Sequence, residues 1–253
     1  MSTLSSHRLG NYTVGGVIIS SIRRRDAINE FFRLVSSGSG GYVTLTSAHG
    51  VVESQSDDRL RRIINEARMT LADGLPILWA GKLKGAAVER FTGSEFFDTV
   101  MRDPKSTRLR HYFYGGQQQS TSRVVAGAIK LLGQHAVAGW HCPPFRAAGV
   151  LEDKSVIADI AATSPDVIWV GLSTPKQEYW MANHAANCPN SLLVGIGAAF
   201  DFFAGVKPRA PKFVQQCGFE WLYRLGTDPR RLWPRYRKVV PEMLKILLAE
   251  MRA

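Results

Sequence analysis

Short apolar runs, each closed by glycine or a small polar turn and followed by a helix-start signal, recur along this chain. The clearest is Asp166-Val167-Ile168-Trp169-Val170, which passes through Gly171-Leu172-Ser173 to Thr174-Pro175-Lys176-Gln177-Glu178. A run this short and this continuously apolar reads as a strand buried on both faces. Tyr42 to Thr46, Met69 to Ala72, His111 to Tyr114, Ala136 to Ala138 and Leu192 to Ile196 repeat the pattern. Helix-period segments lie between them, near Arg23–Val35, Asp58–Ala67, Ser122–Leu132, Ser155–Ala162 and Tyr179–Ala186. Strands alternating with helices require crossover connections. The expected fold is therefore α/β, a parallel sheet with helices on both faces.

Such a sheet places its ligand crevice beyond the C-terminal ends of the strands. The residues expected there are the Thr46–His49 loop, Asp73-Gly74, Gly115-Gly116, Ser173–Glu178 and Gly197–Asp201. Thr174 reads as an N-cap, Pro175 as the first helical residue and Gln177 as the partner of a capping box. A capping role alone accounts for those residues as well as ligand binding does. Residues 1–12 read as a loose leader and Val14 to Ile19 as one β-rich run.

Charge separates the last fifth of the chain from the rest. The protein carries 32 Lys and Arg against 21 Asp and Glu, a net +11, and seven of those net charges fall between Gly205 and Ala253. Basic residues there interleave with aromatics, as in Phe219-Glu220-Trp221-Leu222-Tyr223-Arg224 and Asp228-Pro229-Arg230-Arg231-Leu232-Trp233. That mixture suits phosphate, anionic headgroups or a nucleic acid. The division expected is an α/β domain over 1–204 and a basic, helical C-terminal appendage over 205–253, with helices near Pro229–Lys238 and Glu242–Met251. Three cysteines without metal or redox spacing fit reduced thiols in the cytoplasm. No apolar run approaches the length of a membrane span.

Several residues carry candidate chemistry. Asp73 is an ordinary Asp-Gly turn residue or a general base beyond a strand end. His49 is a second candidate base or a structural donor. Glu178 and Asp201 are further carboxylates at strand ends, either of which could orient a sugar hydroxyl. Arg90 forms a local ion pair with Glu89 or clamps a diphosphate with its guanidinium fork. Gly115-Gly116 lacks the rest of a G-x-G-x-x-G, which weakens an NAD(P) reading. No HExxH, cysteine cluster or Asp-x-Asp pair occurs, so no metal and no cofactor are expected.

Taken together, these segments resemble the WecG/TagA/CpsF glycosyltransferases. The resemblance rests on Asp166 through Glu178, Gly197-Ala198-Ala199-Phe200-Asp201, Gly205, Arg209-Ala210-Pro211, Glu220–Leu225 and Asp228–Leu232. Upstream, Asp73-Gly74, Glu89-Arg90 with Gly93, and Pro143-Pro144-Phe145 also look like family signatures. It implies an inverting, metal-independent transfer from a UDP-sugar (UDP-ManNAc, UDP-ManNAcA or UDP-glucose type) to a polyprenyl-diphosphate-linked saccharide. That step belongs to cell-envelope or exopolysaccharide biosynthesis. By the same resemblance the sheet is Rossmann-like, Asp73 is the base, and Arg90 and Gln177 lie in the active site; Thr46, Ser47, His49, Glu178 and Asp201 are the further substrate-binding candidates. Arg224, Arg230 and Arg231 would grip diphosphates, and the appendage would dock on an anionic membrane surface. The enzyme would be cytoplasmic, peripheral to the inner membrane, and a homo-oligomer is compatible with the sequence.

One departure stands out: Ser47 occupies the position where the family carries Asn, and serine lacks the amide's paired donor and acceptor. The competing class is a nucleic-acid-binding protein using the basic segment, although no helix-turn-helix, RRM or OB pattern accompanies the charge.

Overall fold

The computed structural model describes residues 9–144, 154–206, 210–211, 214 and 220–251. It opens on a hairpin, β1 (Gly10–Val14) and β2 (Val17–Ser21), paired antiparallel. Gly15 and Gly16 both hold positive φ (56° and 77°), the geometry of a two-residue hairpin turn whose twist matches its strands. The expected single run from Val14 is therefore two strands, and the first begins inside the segment read as a leader. Alternate residues Tyr12, Val14, Val17 and Ile19 are buried, which fixes the register of the pair.

The chain continues as α1 (Arg24–Ser36), β3 (Gly41–Thr46), α2 (Ala48–Glu53), α3 (Asp58–Asn65), β4 (Met69–Ala72), α4 (Leu75–Leu83) and α5 (Gly93–Arg102). Then come β5 (His111–Gly115), α6 (Gln118–Leu132), β6 (Val137–His141), α7 (Lys154–Ala162), β7 (Val167–Gly171), α8 (Lys176–His184), β8 (Leu192–Gly195) and α9 (Ala199–Phe203). The last two helices are α10 (Glu220–Thr227) and α11 (Pro229–Glu250). Strands β3 to β8 form one parallel sheet in the order β4-β3-β8-β7-β5-β6, flanked by helices on both faces, as expected.

Strand β7 shows why this sequence makes a buried sheet. Val167 and Trp169 face one core, with Phe31, Phe96, Phe97 and Phe113, while Ile168 and Val170 face the other, with Tyr114, Trp180 and Met181. Trp169 stacks on Phe31 at 5.8 Å between centroids and meets Phe97 edge-on at 4.9 Å. Aromatic pairs of this kind each add about 1 kcal/mol beyond their buried area. The Trp169 indole N–H donates to His111 Nδ1 (3.1 Å), and His111 Nε2 donates to the Ser106 carbonyl (3.0 Å). Those partners hold a fully buried imidazole in its neutral Nε2–H form.

The C-terminal segment differs from expectation. Two helices were expected on either side of Pro241; one helix, α11, runs through both Pro234 and Pro241. An interior proline costs a helix about 3 kcal/mol. Here tertiary packing offsets it, because Val239 and Met243 sit in a buried cluster with Ile77, Ala80 and Val51. Lys238 pairs with Glu53 at 3.0 Å, Glu250 pairs with Lys84, and Glu250 Oε1 accepts from the Gly15 backbone N–H (2.8 Å). Among the described residues no helix is long and apolar enough to cross a membrane.

Candidate functional site

Strands β3, β4, β7 and β8 deliver their C-terminal loops to one end of the sheet. Two cavities of about 360 and 370 Å³ lie there. The first, more polar one is walled by Thr92–Ser94 at the start of α5, Ser173, Thr174 and Gln177 around the start of α8, and Gly195–Ala199 after β8. The second is walled by α4 and α11 and is mostly apolar, with Arg90 and Arg235 among its lining residues. Ser47, His49, Asp73, Arg235 and Tyr236 line both, so the two cavities meet at these five side chains.

The backbone explains why Asp73 stands at that junction. Its N–H donates to the Thr46 carbonyl (2.9 Å), which extends the β3–β4 pairing one residue past the strand. Gly74 then takes φ 115°, a conformation that L side chains rarely adopt, and α4 begins at once. An Asp between a strand end and a forced glycine turn is held at the mouth of the crevice.

His49, in the first turn of α2, is pulled down from 6.5 to about 4, mainly by burial, assisted by the charges of Arg235 and Lys238 and opposed by Glu53. At neutral pH it is an uncharged imidazole. Its Nε2 lies 3.7 Å from Glu53 Oε1.

Thr92 caps α5 in a reciprocal box with Glu95, whose carboxylate also receives Arg24 (3.2 Å) and Arg90 (3.8 Å). Although burial opposes it, hydrogen bonds from Thr92 and the charges of Arg24 and Arg90 hold Glu95 below the usual range. Arg90 thus pairs with Glu95 at the start of α5. Gly93 packs against the β8 loop so closely that an added Cβ would lie 2.5 Å from the Ile196 carbonyl oxygen.

The opening of α8 differs from a capping box. Pro175 holds the cap position and no side chain caps the helix. Thr174 Oγ1 instead donates to Glu178 Oε1 (2.9 Å), as does Gln177 Nε2 (3.0 Å), and Gln177 Oε1 accepts from the Gly197 N–H (2.8 Å). This chain of bonds ties the β8–α9 loop to the first turn of α8. Gly195 leaves room for it: an added Cβ would sit 3.1 Å from the Gln177 amide.

Of the residues singled out in sequence, Ser47, His49, Asp73, Arg90 and Gln177 line the cavities. Glu178 does not. It lies 1% exposed beneath the wall, burial pushes its carboxyl above 4.5 despite the bonds from Gln177 and Thr174, and Oε2 has no hydrogen-bond partner among the described residues. There it supports the Gln177 amide from beneath. Thr46 is likewise buried, its Oγ1 without a partner among the described residues. Asp201 accepts from Ser120 Oγ (2.7 Å) and is outside both linings. Arg230 is exposed on α11 and lines neither cavity. The side chains of Arg224 and Arg231 lie outside the described residues, as do Phe145 and Arg209.

Arg235, Tyr236 and Trp79 were missed. The first two were hidden in a tail read as a membrane surface, although an arginine and a tyrosine side by side in a basic helix were a visible signal. Trp79 carried a subtler one: α4 reads Leu75-Pro76-Ile77-Leu78-Trp79-Ala80-Gly81-Lys82-Leu83, apolar nearly all round. Such a helix needs cover on both sides.

The model of the glycosyl transferase WecG/TagA/CpsF family matches residues 12–253. The chain is 27% identical over 216 residues to a Bacillus spizizenii protein, covering 85% of this chain and 81% of that one. It is 30% identical over 191 residues to a Staphylococcus aureus protein, covering 74% and 72% respectively. Both relatives are named N-acetylglucosaminyldiphosphoundecaprenol N-acetyl-beta-D-mannosaminyltransferase.

Proposed function

The chain belongs to the WecG/TagA/CpsF glycosyltransferase family, and from that premise we propose that it moves an N-acetylmannosamine-type sugar from UDP to a polyprenyl-diphosphate-linked saccharide. The observation that carries this reading is the meeting of a polar and an apolar cavity at Asp73. A nucleotide-sugar and a lipid-linked acceptor are a polar and an amphipathic substrate, and the reacting atoms must meet where their sites join. The two relatives named for a diphosphoundecaprenol acceptor support the acceptor class.

In this proposal the acceptor hydroxyl attacks the anomeric carbon from the face opposite UDP, with inversion, and Asp73 takes its proton as the C–O bond to UDP breaks. Charge on the leaving diphosphate is met by Arg235, which lines both cavities, and by the first turn of α8, while Arg90, lining the apolar cavity alone, is assigned to the acceptor's diphosphate. Among the described residues no three His, Cys, Asp or Glu side chains gather as a metal set. The leaving-group charge falls to arginine in this reading, and chelator-resistant turnover is part of its test. His49 stays uncharged and Ser47 hydroxyl-bearing at the junction, where either can orient a substrate hydroxyl. Residues 205–253 are proposed as a membrane-docking appendage, through exposed Leu222 on α10 and Trp233 on α11.

The decisive experiment measures UDP release and glycolipid product from UDP-N-acetylmannosamine and a prenyl-diphosphate-GlcNAc acceptor, with and without EDTA. Asp73→Asn should lower turnover about 100- to 10,000-fold while UDP still binds. Near-normal turnover in that variant refutes the assignment of the base, and loss of turnover in EDTA refutes metal independence.

A further inference from the structure

The geometry points to the trough between α4 and α11 as a hydrocarbon subsite for the first isoprene units of the acceptor, a site distinct from any contact with the bilayer itself. This rests on the proposed lipid-linked acceptor and adds where its chain runs. The two helices lie side by side in the same direction: the start of α4 shares the apolar cavity with Arg235 to Met243, and beyond its far end Lys84 pairs with Glu250. A nine-residue helix such as α4 is about 13 Å long, so the trough extends roughly that far from Asp73.

Its floor is the buried cluster containing Ile77, Ala80, Val239 and Met243. Its walls are apolar side chains that the fold leaves uncovered: Trp79 is 52% exposed, and Leu244 55%. Spaced one helical turn further on, exposed Leu83 continues the α4 stripe and exposed Leu248 the α11 stripe. A helix apolar on its outer as well as its inner face is unfavourable in water unless something apolar lies on it.

The occupant follows from what the trough joins. Its inner end opens on Asp73, Arg90 and Arg235, where the acceptor's sugar hydroxyl and diphosphate are required by the reaction. The group next in order along such an acceptor is its hydrocarbon chain. An apolar channel continuous with the reacting centre, and the Arg90 guanidinium at its inner end, match that sequence of sugar, diphosphate and prenyl chain. A flat bilayer surface would not reach into a cavity beside Asp73.

The test uses soluble acceptors without membrane or detergent: GlcNAc-diphosphate esters carrying farnesyl or ethyl groups, together with direct calorimetric binding of farnesyl diphosphate. KM for the farnesyl ester should be at least about tenfold below that of the ethyl ester, the change expected from burying even two methylenes. Leu244→Asp, and separately Leu248→Asp, should remove most of that advantage and weaken farnesyl diphosphate binding, raising KM for the farnesyl ester far more than for the ethyl ester. Equal KM values for the two esters in the unaltered protein overturn the subsite. So does an equal effect of both substitutions on the two esters. Failure of transfer to either ester, with farnesyl diphosphate still bound in a Leu244-dependent way, would refute the transferase reading and leave the subsite standing. Absence of farnesyl diphosphate binding refutes the subsite whatever the transfer result.

Discussion

His111 makes acid stability a quantitative test of the core. The imidazole is fully buried against Trp169, accepts at Nδ1 from the indole and donates at Nε2 to Ser106. Burial pulls its pKa down from 6.5 to about 4, outweighing the bond to Ser106 and the charge of Asp166. Between those values the unfolded chain binds a proton that the folded one refuses. Stability is therefore undiminished above about pH 6.5, falls as pH drops toward 4, and changes no further below that through this group. At about 1.4 kcal/mol per pH unit the gap corresponds to about 3 kcal/mol. Denaturant unfolding at pH 7.5, 6, 5 and 4 measures it. His111→Gln should be less stable than the natural protein at pH 7.5, because the Trp169 and Ser106 partners are disturbed. Its loss of stability between pH 6.5 and 4 should nevertheless be smaller by about 3 kcal/mol. Parallel pH profiles for the two proteins would show that His111 titrates normally in the fold and would refute the reasoning.

Three further outcomes follow from the site and its surroundings. Glu178→Gln should equal or exceed the natural protein in stability at pH 8, because burial raises the carboxyl above 4.5 and its cost grows as pH rises from there; a marked loss at pH 8 with none at pH 4.5 would show that the ionised form is needed. Gly93→Ala should destabilise by about 1–3 kcal/mol and lower the melting temperature, since its Cβ would collide with the Ile196 carbonyl; an unchanged melting temperature would place the β8 loop elsewhere. Leu222→Asp with Trp233→Asp should reduce sedimentation with anionic liposomes by more than about tenfold, as both side chains are exposed on the last two helices; unchanged sedimentation would remove these residues from the docking surface.

What could be read in the sequence was what depends on local periodicity. β7 and β5 were visible because their apolar runs match the sheet's demand for burial on both faces. Asp73 and Gln177 were legible as residues at strand ends. The misreadings lie where distant contacts decide. Thr174 has every mark of a capping residue, yet its hydroxyl is committed to Glu178, and Glu178 sits under the wall because Gly195 leaves space for the Gln177 amide above it. Pro241 looked like a helix boundary, but α11 continues through it because Val239 and Met243 are anchored in the α4 cluster. The hairpin turn was missed because Gly15-Gly16 sits inside an otherwise continuous run of strand-forming residues.

Strand β8 has a consequence for how the protein is made. It lies between β3 and β7 and is the last strand in the sequence, pairing Gly41 with Leu192 on one side and Val167 with Leu192 on the other. It is the keystone of the sheet: without it, β4-β3 and β7-β5-β6 share no strand pairing. Contacts between residues so far apart in sequence are slow to form. The polar cavity straddles that seam, since Gly195–Ala199 emerge from β8 itself. Binding of a nucleotide should thus appear only when the keystone is seated, which makes ligand binding a reporter of the closing step in refolding rather than of the earlier collapse of either half.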